Sequence, residues 1–368
     1  MNEITIDLGP RSYPVIIESG LLENTGRIIA RFMKNNKIVI VTDENVADLY
    51  LAKLQKSLKA QDYITDHFII KPGEYSKNIT TINEALRHFV KNGLERNSAV
   101  VALGGGVVGD IAGFASSIYL RGIQYFQIPT TLLACCDSSV GGKTGINFEG
   151  TKNLAGTFHQ PRAVLIDPDL LITLPDRELL SGLAEIIKTG LIRDRTLFDL
   201  SIKGLRDILS LSNMELVSTI ISRSIAVKAD VVCRDEREAG LRRILNFGHT
   251  IGHGMEAAAE GALLHGEAVL YGMAAAVWLS GEKGRLSPDE GLRITQALPL
   301  QLIPFDIHYL SFDKTVEFIR KDKKMVDNRI KFILLEAVGT AYESDRITEE
   351  DMASAYAAVQ RLLNTKEG

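Results

Sequence analysis

Apolar positions in the first half of the chain fall in short continuous runs separated by stretches of helical spacing. Residues 37–42, Lys37-Ile38-Val39-Ile40-Val41-Thr42, form a β-branched run, and residues 44–59 then repeat apolar side chains with helical period. A second run spans 64–70, followed by a predicted helix over 78–92, and a third spans 98–103 and ends in Gly104-Gly105-Gly106. Shorter strands are expected at 125–128 and 163–166. Strands alternating with helices of this length imply βαβ units and a mostly parallel sheet. Beyond Asp167-Pro168 the rhythm changes, and helical periods dominate at 177–189, 214–233, 244–259, 265–280 and 349–363. The expected organisation is therefore an α/β domain over 1–172 and a mainly α-helical domain over 173–368. Pro168 and Pro175 punctuate the boundary. No internal repeat or low-complexity linker interrupts either half.

Composition supports a folded chain. Its 368 residues are about two domains' worth at roughly 150 residues each. Apolar residues make up 45% and charged residues 24%, so the chain is too apolar and too evenly charged to be disordered. The net charge of −4 gives no basic excess for nucleic acid. Three cysteines cannot build a disulfide framework, and an odd count fits a reducing compartment. Met1-Asn2-Glu3-Ile4 does not open a secretory signal, so a cytoplasmic protein is expected. The most membrane-like stretch, 262–279, contains His265 and Glu267 and is broken by Gly266 and Gly272, which favours a buried helix.

Four segments carry candidate chemistry. Gly104-Gly105-Gly106-Val107-Val108-Gly109-Asp110 follows a predicted strand and opens a helix, with the G-x-G-x-x-G spacing that lets backbone amides approach a pyrophosphate. A tight turn alone would also use these glycines. The fingerprint lacks its acidic residue after the next strand, where Gln127-Ile128-Pro129-Thr130 stands, so Asp43 is the candidate ribose reader. The polar stretch Asp137-Ser138-Ser139-Val140-Gly141-Gly142-Lys143-Thr144-Gly145-Ile146-Asn147 is out of Walker register, which excludes an ATPase, yet its glycines and Lys143 suit an anion. Lys152 and Asn153 could extend that site, and a solvated loop is the plain alternative.

The remaining two segments concern metal and basic residues. In Asn246-Phe247-Gly248-His249-Thr250-Ile251-Gly252-His253 two imidazoles share one helical face, His265-Gly266-Glu267 begins the next helix, and Glu185 sits among apolar neighbours where a carboxylate needs a partner. One carboxylate and two imidazoles form a catalytic-zinc set. Spacing alone does not say which two histidines bind, or that these are more than surface histidines and a core ion pair. Cys135-Cys136 reads as a pair of small buried hydrophobes. Lys321-Asp322-Lys323-Lys324 reads as a solvated charge run or as a clamp on an anion.

Taken together, Gly104 to Asp110, Pro129 to Ala134, Asp137 to Asn147, Gly182 to Lys188, Asn246 to His253 and His265-Gly266-Glu267 resemble the 3-dehydroquinate synthase family of sugar-phosphate cyclases, in order along nearly the whole chain. The resemblance implies an N-terminal Rossmann-like α/β domain and a C-terminal helical domain, with catalysis in the cleft between. It implies metal ligands Glu185, His249 and His265, with His253 facing substrate. NAD would meet Asp43, Asn45, Glu74, Lys77, Gly105, Gly106, Val107, Asp110, Thr130 and Thr131, with Lys143 and Lys152 nearby. Catalytic roles would fall to Lys143, Lys188, Lys228, Glu238, Arg242, Asn246 and His253. Arg121, Asp137, Lys152, Asn153 and Lys323 or Lys324 would bind substrate. Arg121 resembles a residue contributed across a subunit boundary, which implies a homodimer.

The implied reaction turns 3-deoxy-D-arabino-heptulosonate 7-phosphate into 3-dehydroquinate and phosphate, a step of chorismate biosynthesis. It runs through transient oxidation by NAD, phosphate elimination, re-reduction and intramolecular aldol closure, with a divalent zinc or cobalt ion. The partners expected are this small phosphorylated acid and a second copy of the chain, with no nucleic acid and no membrane. Two rivals remain: a cyclase acting on another sugar phosphate, and a metal-dependent polyol dehydrogenase. Asn246, Lys152-Asn153 and Arg242 stand as the resemblance implies, and Arg242 suits a carboxylate that the other sugar phosphates lack. A dehydrogenase would accumulate NADH in step with turnover.

Overall fold

The computed structural model describes residues 2–322 and 330–364. It divides into two compact units, Met1–Leu174 with Asn213–Cys233, and Pro175–Ser212 with Arg234–Gly368. The helix Met214–Arg234 thus returns the chain to the first unit, a crossing that a single division near residue 172 does not contain.

In the first unit the strands are β1 (Asn2–Ile6), β2 (Tyr13–Ile17), β3 (Lys37–Asp43), β4 (Ile64–Ile70), β5 (Ala99–Gly104), β6 (Gln124–Pro129), β7 (Lys143–Phe148), β8 (Thr151–Phe158) and β9 (Val164–Ile166). Seven of them form one sheet in the order β1-β2-β9-β6-β5-β3-β4, parallel except for the β1–β2 pair. Both faces are covered. Ile38 and Ile40 of β3 pack with Leu21, Leu54 and Leu58 on one side, while Val39 and Val41 pack with Phe89, Ile111 and Ala112 on the other. A strand buried on both faces reads as an unbroken apolar run, which is why the sequence displays these strands so clearly. From β3 the chain crosses to β4 on one side, and from β5 it crosses to β6 on the other. Their carboxyl ends therefore flank the point where a doubly wound sheet leaves a ligand crevice. Asp43 ends β3 and Gly104 ends β5.

The polar stretch expected as a loop is partly a strand. β7 and β8 form a separate antiparallel hairpin closed by Glu149 (φ 48°) and Gly150 (φ 74°), the pair of left-handed residues that a two-residue turn requires. Gly145 faces Gly156 in this hairpin, and a Cβ on Gly145 would lie 2.8 Å from the Ala155 carbonyl oxygen. Close backbone approach, rather than apolar alternation, defines the pair.

The second unit is built largely on the helices Asp176–Arg193, Arg195–Lys203, His249–Ala258, His265–Glu282, Pro288–Ala297, Phe312–Asp322 and Glu349–Asn364. A hairpin of β10 (Phe332–Ala337) and β11 (Thr340–Ser344) interrupts this half, which the sequence presents as mainly helical. The helix expected over 244–259 is split. A tight turn, Leu241–Asn246, precedes it, and Gly248 at φ 77° lets the chain restart as His249–Ala258. The helix His265–Glu282 is buried along most of its length, as expected of a core helix, and no helix among the described residues is long and apolar enough to cross a membrane. Its glycines set its approach. A Cβ on Gly272 would lie 2.0 Å from the Gly248 carbonyl oxygen, and one on Gly266 would lie 2.0 Å from that of Ser181.

Candidate active site

Those close approaches bring three helix segments of the second unit together around one carboxylate. Glu185, on Asp176–Arg193, is 1% exposed. Its Oε1 lies 3.6 Å from Nε2 of His249 and 3.6 Å from Nε2 of His265, each the first residue of its helix. The other ring nitrogens are anchored. His249 Nδ1 lies 3.1 Å from the Phe247 carbonyl and His265 Nδ1 lies 3.0 Å from Glu256 Oε2. Such outer contacts fix the ring so that the opposite nitrogen faces a ligand. The start of the His265 helix is fixed in turn by buried Glu267, which accepts the Leu264 amide at 2.9 Å and two Arg177 bonds at 2.8 and 2.7 Å.

Neither Glu185 oxygen accepts a hydrogen bond of normal geometry, although the Lys188 ammonium lies against Oε2. Lys188 offsets the charge at Oε2, but buried Oε1 faces two imidazole nitrogens with no hydrogen bond, a place that a second cation would complete. One carboxylate and two imidazole nitrogens, leaving an open position, fit a divalent ion. Charge supports this. Burial opposes the Glu185 carboxylate, but Lys188 and the His265 ring hold its pKa well below the usual range. Burial and Lys188 hold His249 neutral, the form that ligates. His265 is pushed up to about 10: burial opposes this, but Glu185 and Glu256 outweigh it, so metal binding there would release a proton.

A second set is also close. Ligand atoms of His249, His253 and His265 all lie within 4.8 Å of one another. That set would leave Glu185 Oε1 buried without a partner between two of its own ligands, which favours the set containing Glu185.

Just before the His249 helix, Glu238 accepts Asn246 Nδ2 at 2.7 Å, and buried Arg242 donates to the Glu236 carbonyl at 2.5 Å. Glu238, Arg242 and Asn246 therefore share one short segment. Lys323 and Lys324 lie outside the described residues.

In the first unit, β5 runs through Gly105 into the helix Gly106–Ile118. A Cβ on Gly104 would lie 2.6 Å from Val108, and one on Gly109 would lie 2.8 Å from Gln127 Oε1 of β6. The first and last glycines thus serve a tight turn and helix-to-strand packing, as in dinucleotide folds. Gly105 and Gly106 leave room of a different kind: a Cβ on either would come within 3.0 Å of Thr131 or Ser138. Thr130, whose amide donates to Gly104 O at 3.1 Å, has a buried hydroxyl without a hydrogen-bond partner. Asp43 and Asn45 stand at the neighbouring end of β3, where the Asp43 carboxylate caps the Val46 amide at 3.0 Å and burial raises its pKa.

Beside the glycine loop, Lys77 Nζ lies 2.7 Å from Asp110 Oδ2, 2.5 Å from Asn153 Oδ1 and 3.6 Å from Glu74. Asn147, to which the sequence assigned no role, braces this group: it donates to Glu74 Oε1 at 3.0 Å and accepts the Asn153 amide at 2.9 Å. Its place at the end of the polar stretch was the available signal. Lys228 reaches Asp137 Oδ1 at 2.5 Å and its carbonyl at 2.6 Å, where a wide turn closes with Ser139 N donating to Ala134 O at 3.3 Å. Lys143 and Lys152 stand exposed on β7 and β8. Arg121 is not brought to this group. It follows the far end of the helix Gly106–Ile118, about 20 Å along that axis from the glycine loop, with Leu120 and Arg121 both left-handed at φ 51° and 68°.

Burial pushes Asp110 up to about 6 against the pull of Lys77. Burial also works against the Lys77 ammonium, but Asp110 and Glu74 outweigh it and hold its pKa above the usual lysine value. Because the folded pKa of Asp110 lies above its unfolded value of 3.8, the folded state holds the extra proton. Its stabilising contribution is full below that value and is lost as pH rises through about 6. Lys77→Met should therefore destabilise the protein more at about pH 8, where Asp110 is ionised and has lost its cation, than at about pH 5. Melting temperatures of both proteins across that range check this; an equal loss at both ends contradicts it.

Comparisons with known proteins place the chain in a family. Residues 67–181 match the 3-dehydroquinate synthase N-terminal family and residues 182–325 the C-terminal family. A 3-dehydroquinate synthase of Prochlorococcus marinus (strain AS9601) is 43% identical over 92% of this chain and 94% of its own length. That of Acidithiobacillus ferrooxidans (strain ATCC 53993 / BNL-5-31) is 44% identical over 93% of each. Among solved structures, a 2-epi-5-epi-valiolone synthase from Streptomyces hygroscopicus subsp. jinggangensis 5008, with NAD+ and Zn2+ bound, matches at a TM-score of 0.85 and 31% identity, covering 95% of this chain and 97% of that one. A glycerol dehydrogenase from Schizosaccharomyces pombe matches at a TM-score of 0.66 and 17% identity over 94% and 88%, a likeness of fold alone. By matches to both halves of the family and by near full-length relatives, the chain belongs to the 3-dehydroquinate synthase family.

Proposed function

We propose that this chain carries out the reaction of its family, using NAD in the first unit and a divalent ion, zinc or cobalt, in the second. That reaction converts 3-deoxy-D-arabino-heptulosonate 7-phosphate to 3-dehydroquinate and phosphate. The observation that carries the proposal is the buried Glu185 carboxylate, whose Oε1 faces two anchored imidazoles without a hydrogen bond. Glu185, His249 and His265 would hold the ion, which supplies Lewis acidity toward a substrate hydroxyl when bound. The glycine loop, Asp43, Asn45, Glu74, Lys77, Asp110, Thr130 and Thr131 would hold NAD, which supplies a reversible hydride acceptor when bound.

The chain's own residues then bind and position. The substrate carries a carboxylate and a phosphate, and the planar fork of buried Arg242 suits the carboxylate. Asn246, fixed by its bond to Glu238, presents an oriented amide. Lys143, Lys152, Asn153 and Lys228, with Asp137, would hold substrate oxygens from the first unit. His253, one helical turn from His249, and Lys188, against Glu185, would hold or move a proton at a substrate oxygen. Arg121, beyond the far end of the helix Gly106–Ile118, would serve a second copy of the chain in a homodimer.

Phosphate release from the heptulosonate phosphate tests this. With trace NAD, phosphate should form far in excess of the nucleotide, without NADH accumulating, and a chelator should stop it. NADH produced in step with turnover would instead support a polyol dehydrogenase.

A further inference from the structure

We propose that Asp235 is a positioning residue that holds Glu238 and Arg242 in place, an inference that rests on the reading of those two residues as parts of the substrate site. Asp235 is the first residue after the helix Met214–Arg234. Its Oδ1 accepts the Ala239 amide at 2.8 Å, and its Oδ2 accepts the amides of Gly240 at 2.7 Å and Arg242 at 3.0 Å. One carboxylate thus gathers three amides of the segment that bears both site residues. The same segment holds Glu238 in the left-handed region at φ 60°, a conformation that a residue with a side chain adopts only where its surroundings impose it. The ends of the segment are tied as well, since Arg242 donates to the Glu236 carbonyl and Asn246 donates to Glu238. The amide of Arg242, then those of Gly240 and Ala239, hold the Asp235 carboxyl below its usual range, so it stays an acceptor on both oxygens.

Residue chemistry makes the role specific to a carboxylate. Three donors need two acceptor oxygens. An asparagine offers one, and its NH2 group would face a backbone N–H. Asp235→Asn should therefore loosen the loop, and Asp235→Ala should release it. The metal cluster, held by other helices, should be unaffected.

The test uses the full chain loaded with NAD and zinc. Asp235→Asn should lower kcat/KM for the heptulosonate phosphate about a hundredfold through a higher KM, the scale expected when binding groups shift by about 1 Å. Zinc content and melting temperature should stay close to those of the parent. In hydrogen exchange, the amides of Ala239, Gly240 and Arg242 should lose protection. In a background carrying Glu238→Gln and Arg242→Lys, the same substitution should cost no more than about threefold, because the residues it acts through are already compromised. Equal losses in both backgrounds, or unchanged protection of the three amides, overturn the proposal. If Glu238→Gln and Arg242→Lys leave kcat/KM unchanged, the substrate reading falls and takes this role of Asp235 with it. Asp235→Asn is the milder change and keeps the test readable if Asp235→Ala does not fold.

Discussion

Replacing Glu185 with Gln should strip the metal from the protein and lower turnover by at least about a thousandfold, while cooperative unfolding is retained. A catalytic ion contributes several kcal/mol of transition-state stabilisation, and each 1.36 kcal/mol is a decade in rate, which gives about three decades. Gln matches Glu in size but lacks the charge that the ion and the two imidazoles require. It also removes the counter-charge of Lys188, a side chain only 2% exposed. Breaking a buried pair in this way costs about 3–5 kcal/mol, so the variant should melt at a lower temperature at neutral pH. Metal content after dialysis, phosphate release and a thermal melt read the three effects separately. His253→Asn is the companion. It should keep the metal and lose turnover, because His253 is assigned to the substrate and not to the ion. The opposite pattern, with metal kept in Glu185→Gln and lost in His253→Asn, would favour the three-histidine set.

Gly272→Ala should cost the protein much of its stability although it adds only one methyl group near the site. On helix propensity alone alanine would stabilise by about 1 kcal/mol. The new Cβ, however, would lie 2.0 Å from the Gly248 carbonyl oxygen and 2.8 Å from the Gly252 amide nitrogen. Those atoms are backbone and cannot rotate away, so the helices His249–Ala258 and His265–Glu282 must separate. Overpacking of this kind costs about 3 kcal/mol, which exceeds the propensity gain. At about 2–4 °C per kcal/mol for a unit of this size, the net loss lowers the melting temperature by several degrees. His249 and His265 sit on the two helices that part, so zinc affinity should fall with stability. An unchanged melting temperature would mean that the helices are less tightly packed than the geometry shows.

How legible each part was in the sequence follows from what holds it together. β3 and β5 stood out because both faces of the sheet are covered, which leaves no polar alternation to confuse the pattern. The core helix His265–Glu282 was legible for the same reason. The β7–β8 hairpin was not, because glycine contacts and a left-handed turn define it where apolar periodicity would be expected. β10 and β11 were short enough to disappear among helical periods. At the site, Glu185 could be found from its apolar neighbours, since a carboxylate at such a position needs a partner. The choice between His253 and His265 could not be made from spacing, because His249 and His265 meet through the packing of two helices around Gly248 and Gly272. Asn147 and Asp235 escaped notice because their work is hydrogen bonding to backbone and distant side chains, which leaves no periodic trace.

Anomalous diffraction at the zinc edge, from crystals grown with zinc, would locate the ion among these side chains. The expected result is a single strong peak about 2 Å from Nε2 of His249, Nε2 of His265 and an oxygen of Glu185, with His253 outside the coordination sphere. A peak bound by His253 with Glu185 left out, or no peak in this cluster, would contradict it.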